Sequence, residues 1–157
     1  MTLFFLNILL AVIWATLWNS FTLLTLAGGF ALGFAALWLA RGLLAPHYFR
    51  AVPAVLALAG FFIVELVKSC ILVARDCIAP RPNIHPAIVR MPLDVRSDAE
   101  IFLLANLITL TPGTLTLDVA ADRSFLLIHA IYATDEAALV AELKAGMEHR
   151  VRKVFGT

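Results

Sequence analysis

From Met1 to Ala40 the chain contains no Asp, Glu, Lys, Arg or His. A soluble domain carries about 25% charged residues, so forty residues without an ionisable side chain do not form a solvated surface. As one helix, the stretch from Thr2 to Ala40 would be about 58 Å long, near twice the ~30 Å hydrocarbon core of a bilayer. It must break once, and Trp18-Asn19-Ser20 is the place, a polar run beside an interfacial tryptophan. The expected spans are 2–18 and 21–40. The first is short enough that a membrane-embedded hairpin is the alternative. Gly28, Gly29 and Gly33 give the second span a face that another helix can approach closely. Asn7, a lone polar group in the first, is expected to bond a neighbouring helix. There is no basic region ahead of the apolar run, and the run does not stop at about 15 residues, which predicts a permanent membrane segment rather than a cleaved signal.

A second apolar stretch, Pro53 to Ala74, reads PAVLALAGFFIVELVKSCILVA and holds only two charges, Glu65 and Lys68. It predicts a third span at 53–76, with Pro53 at a first helical position after the connection Arg41–Arg50. Glu65 falls near mid-span, where an unpaired ionisable group costs several kcal/mol, so it is a candidate for function by default. Lys68 lies three residues on, on the same helix face. Two readings follow, a local Glu65–Lys68 pair that packs against other helices, or a step in a proton or cation path. Cys70 and Cys77 are seven apart on this helix, about 10.5 Å, too far for a disulfide. They are expected to be free, buried thiols. Arg75, Arg81, Arg90 and Arg96 follow the last span, against Arg41 and Arg50 in the preceding connection. The larger basic count predicts a cytoplasmic C-terminal half.

The whole chain is 62% hydrophobic and 15% charged, yet the charge is concentrated after Arg75. The expected organisation is a membrane domain at 1–78, a proline-rich linker at 79–86 and a small cytoplasmic α+β domain at 87–157, its elements in β-α-β-β-α order. Three prolines between Cys77 and Pro86 stop the helix. His85 is a linker residue there, without a second metal ligand nearby. Val89, Met91, Leu93 and Val95 alternate with Ile88 and Arg90, a strand that Pro92 makes an edge strand or a bulged one. Ser97 and Glu100 form a capping box for a helix from Asp98 to about Leu110. That helix is apolar almost all round, so one face should meet a partner. After the turn Thr111-Pro112-Gly113-Thr114, a hairpin is expected from Thr114–Ala120 and Phe125–Tyr132, with Leu115, Leu117 and Val119 inward. Thr134 should cap a last helix whose apolar stripe is Leu139, Leu143, Met147 and Val151. Its basic end, His149 to Lys153, suits a helix C-terminus and anionic lipid headgroups.

No catalytic signature is present. The chain lacks G-x-S-x-G, a phosphate loop, H-E-x-x-H and C-x-x-C. Its formal net charge of +1 gives no case for nucleic acid. The expectation is a protein that is not an enzyme and needs no metal or cofactor. An anchored cytoplasmic module that binds a ligand or regulates is the competing class.

Ala105 to Val119 reads ANLITLTPGTLTLDV, followed by a short turn and Phe125-Leu126-Leu127-Ile128-His129-Ala130. This run resembles the E subunit of the multisubunit Na+/H+ (Mrp-type) antiporters, and the apolar N-terminal block and Glu65-bearing span are similar too. The resemblance implies an accessory membrane subunit of a complex that exchanges Na+ or K+ for H+ across the cell inner membrane. It would be multi-pass, partnered by the other antiporter subunits and the lipid bilayer. Asn106, Thr111, Pro112, Gly113 and Thr114 are then expected to shape a docking or folding element rather than to do chemistry.

Overall fold

The computed structural model describes residues 2–40, 47–80 and 84–156. The chain divides into two compact units, Met1–Val52 and Pro53–Thr157. Most of the Arg41–Arg50 connection, at 41–46, and residues 81–83 of the proline-rich linker lie outside the described residues.

The first unit contains α1 (Thr2–Leu17) and α2 (Leu23–Leu39). The break falls where the polar run is. Asn19 takes a left-handed φ of 47°, which asparagine tolerates, and the Ser20 N–H donates to the Ala15 carbonyl at 3.1 Å. Thr22 caps α2, exchanging bonds with Thr25. The glycine face packs against α1. A Cβ on Gly29 would stand 2.8 Å from the Trp14 Cβ, and one on Gly33 would run into Asn7, which is fully buried. Gly28 meets nothing. Each helix is about 24–26 Å long, less than the thickness of a full hydrocarbon core.

α3 spans His47–Ile78. It starts six residues before Pro53, which sits inside the helix and not at its first position. Only one backbone bond is lost there, and the apolar turns on either side carry the helix through. Among the described residues, Phe49–Ile78 is the one stretch long and apolar enough to cross a membrane. Cys70 and Cys77 are free but exposed, not buried. Cys70 falls on the outward side of α3, opposite the side that packs, and Cys77 lies nearer Tyr132.

The remainder of the second unit is β1 (Ala87–Pro92), α4 (Asp98–Leu110), β2 (Thr114–Val119), β3 (Phe125–Ala130), α5 (Glu136–Leu143), a π turn at Lys144–Glu148 and α6 (His149–Phe155). The antiparallel sheet has the order β1-β3-β2, with Pro92 on an edge strand facing Phe125. Its inner face gives Met91, Leu126 and Ile128 to a core shared with Leu104 and Ile108 of α4, Val151 of α6, and Leu58 of α3. Ser97 and Glu100 form the capping box ahead of α4, with bonds of 3.3 and 3.1 Å. Asp135, not Thr134, caps α5, accepting from the Ala138 N–H at 3.0 Å.

β2 reverses the expected alternation over its first part. Leu115 and Leu117 are exposed, while Thr114 and Thr116 turn toward α4. Past a bulge between Thr116 and Asp118 the phase shifts, and Val119, only partly covered, pairs with the buried Leu126 on the α4 side. The threonine hydroxyls donate to the Ile108 and Ala105 carbonyls at 2.6 and 3.1 Å. Alternation separates two faces but does not say which is inward, and here hydrogen bonds to α4 take the inner one. With the last helix and β2 both against it, α4 leaves chiefly Phe102 and Leu110 as large apolar groups outward, far less than an all-round apolar surface.

The π turn explains the four-residue stripe. On an α-helix each step of four overshoots a turn by about 40°, so Leu139 to Val151 would drift by roughly 120°. The wider turn takes up the excess, and Leu143, Met147 and Val151 are all buried. It also turns Glu148 inward. The buried carboxylate accepts from the Asp94 and Val95 N–H groups at 2.7 and 3.2 Å. Lys144 lies 3.4 Å from Glu148 and 3.0 Å from Asp94. Burial works against its charge, but the bond to Asp94 and the Glu148 carboxylate outweigh this and raise its pKa.

Glu148→Met keeps the bulk and strands two N–H groups. It should destabilise the unit by about 1–3 kcal/mol, read from denaturation of the detergent-solubilised chain. The contribution of Lys144 should hold below the ordinary lysine pKa and be lost as pH rises through its raised folded value. The unfolding midpoint of Lys144→Met against wild type over an alkaline series checks the sign.

Candidate functional site

Within the second unit, α3 and the α+β elements enclose a cleft of about 540 Å³. Glu65 and Lys68 line it from α3, and Thr111–Thr114 line it from the other side. The Lys68 ammonium donates to Glu65 at 2.7 Å, an (i, i+3) pair in which Lys68 is largely exposed and Glu65 mostly covered. Glu65 therefore faces the α+β elements and not the bare side of its helix. Leu58, Phe61, Ser69 and Asp76 share that side at helical spacing.

The turn is shaped by backbone chemistry. The Thr111 hydroxyl donates to the Leu107 carbonyl at 2.9 Å and caps the end of α4. Gly113 has φ 96°, and its carbonyl accepts from the Ile131 N–H at 2.8 Å. A Cβ on Gly113 would also lie 3.2 Å from the Tyr132 ring, so both conformation and space call for glycine. Asn106 is not part of this cleft. Its amide donates to the Phe102 carbonyl at 2.7 Å, and it borders a shallow groove with Thr116 and Asp118.

Tyr132 and Gly146 were not singled out from sequence, and Arg150 only as part of the basic run His149 to Lys153. Tyr132 follows β3 and covers Gly113, and burial together with the neighbouring Asp76 carboxylate pushes its phenol pKa up. Gly146 lets the Phe61 ring approach, since a Cβ there would stand 3.0 Å from the ring edge. The Arg150 guanidinium closes over the same ring at 3.7 Å and donates to the Gly146 carbonyl at 2.7 Å. The glycine inside an otherwise helical run was the one available signal. Among the described residues no group of three or more His, Cys, Asp or Glu side chains could hold a metal ion.

The family described as Na+/H+ ion antiporter subunit is matched by residues 7–154. The chain belongs to this family. It is 39% identical over 150 residues to the E1 subunit of the Na+/H+ antiporter of Staphylococcus haemolyticus, covering 95% of this chain and 94% of that one. It is 34% identical over 150 residues to the E subunit of the Na+/H+ antiporter of Alkalihalophilus pseudofirmus, covering 95% of each. A chain of the membrane-bound sulfane sulfur reductase, an archaeal respiratory membrane complex, superposes with a TM-score of 0.62 at 26% identity over 98% of both. The family, like that neighbour, is one of subunits in membrane assemblies, and the TPGT turn and the Glu65–Lys68 pair lie inside the matched region.

Gly113→Ala should cost about 1–2 kcal/mol from the left-handed backbone, plus the contact with Tyr132. A lower unfolding temperature of the full chain in detergent checks this, with Pro112→Ala, which keeps the backbone free of that strain, expected to fall less.

Proposed function

We propose that this chain is an accessory subunit of a multisubunit monovalent cation/proton antiporter in the cell membrane. Its task is assembly and stability of the complex rather than transport chemistry, and its α+β part lies on the cytoplasmic side. The observation that carries the reading is the apolar surface the sheet leaves bare. Ile88 and Leu115, 58% and 45% exposed, lie on its outer face across from His129, and Leu117, 46% exposed, stands at the bulge of β2. A component of a larger assembly covers such groups with a neighbour. The Glu65–Lys68 pair supports the same reading, because a carboxylate held by its own helix is neutralised locally. The basic residues after α3 support the cytoplasmic placement.

The cleft favours a second reading, a regulatory module that takes a small ligand between α3 and the TPGT turn. A thermal shift of the full chain with candidate ligands would favour it.

Leu115→Lys together with Leu117→Lys should leave the chain folded and inserted, since both side chains are exposed. Recovery of the other antiporter subunits with the tagged chain in mild detergent should drop several-fold. Undiminished recovery would remove the sheet face from the assembly and the proposal with it.

A further inference from the structure

α3 carries two different surfaces back to back. Leu58, Phe61, Glu65 and Asp76 turn toward the α+β elements. Leu56, Gly60, Ile63, Val67, Cys70 and Ala74 turn outward, spaced four and three residues apart with no charge among them. Lipid can cover the outward stripe, but it cannot cover what stands behind α3. From Glu65 onward the helix has Glu142 at the cleft beside it, and hydrocarbon expels such a group. Before that level the contacts differ. Leu58 and Phe61 belong to the apolar cluster that holds Met147, Val151, Val154 and Phe155, with a cation, Arg150, laid over the Phe61 ring. Its guanidinium stacks on the ring and donates to the Gly146 carbonyl, so the charge is held where polar partners are within reach. It heads a run in which His149, Arg150, Arg152 and Lys153 fall within five residues, while Glu148, the acid next to them, is buried against the Asp94 backbone.

We propose that α3 leaves the hydrocarbon between Phe61 and Glu65, and that the basic end of α6 meets anionic phospholipid headgroups at that level. Ala51–Val64, after Arg50, is then the uncharged length, 14 residues or about 21 Å, shorter than α1. The Glu65–Lys68 pair and the cleft lie in or beyond the headgroup layer and not at mid-membrane. Charge complementarity selects the partner, because a cationic helix end beside exposed apolar surface binds anionic lipid more strongly than zwitterionic lipid.

The full chain reconstituted in vesicles tests both parts, with no other antiporter component present, so the outcome is independent of the assembly role. A charged maleimide is supplied on both sides of the membrane. Cys70 in a Cys77→Ser variant should react as fast as Cys77 in a Cys70→Ser variant, and Leu56→Cys in a cysteine-free background should not react. Protection of Cys70 equal to that of Leu56→Cys places it in lipid and overturns the boundary. Phosphatidylglycerol in phosphatidylcholine vesicles should raise the unfolding temperature, and Lys153→Gln, an exposed position, should remove part of that rise. Arg150→Gln should remove more of it. A rise that is absent, or the same in both variants as in wild type, overturns the headgroup contact.

Discussion

The Phe61 ring rests on the backbone of Gly146 and is covered by the Arg150 guanidinium, and this contact fixes α3 to the α+β elements. The rest of the second unit depends on it. It seats Leu58 in the common core and opens the cleft one turn further along, where Glu65 and Lys68 face the TPGT turn. A larger residue at position 146 would hold the ring away and separate the two sides of that cleft. The cation ties the ring to the helix end, because the guanidinium that covers Phe61 also donates to the Gly146 carbonyl.

A helix with opposed surfaces also explains why Glu65 is tolerated in so apolar a segment. Its carboxylate has a cation 2.7 Å away and a protein surface in front of it, so it does not bear the cost of an isolated charge in lipid. The outer sheet face shows the same logic in reverse. Thr114 and Thr116 spend their hydroxyls on α4 carbonyls, which leaves Leu115 between them outside. Apolar surface left bare in this way belongs to a chain whose neighbours finish its burial, in keeping with the antiporter family to which it belongs.

Much of this architecture was legible in the residues. The break at Trp18-Asn19-Ser20, the buried glycine face of α2, the edge position of β1 and the capping box at Ser97 follow from local rules that need no knowledge of distant contacts. What stayed illegible depends on tertiary choice. The leucines of β2 have the same period whether they face the core or solvent. Pro53 signals a helix start equally well when the helix has begun earlier. The cysteines of α3 read as buried because the side of the helix that packs is decided by Phe61 and Gly146, which are 85 residues apart. The candidate site residues divide in the same way. Glu65, Lys68 and the TPGT turn border one cleft, and Asn106 stands apart from it because it bonds its own helix.

The π turn at Lys144–Glu148 has a consequence for how such a chain can change over time. It behaves as one surplus residue stored in a continuous helix. Loss of a residue there would return the segment to ordinary α geometry and leave the phase of α5 and α6 nearly as it was. The same loss elsewhere in the helix would rotate everything downstream by about 100°. This short segment is therefore the place where a length difference between related chains is best absorbed, at the expense of the Glu148 contact with the Asp94 backbone.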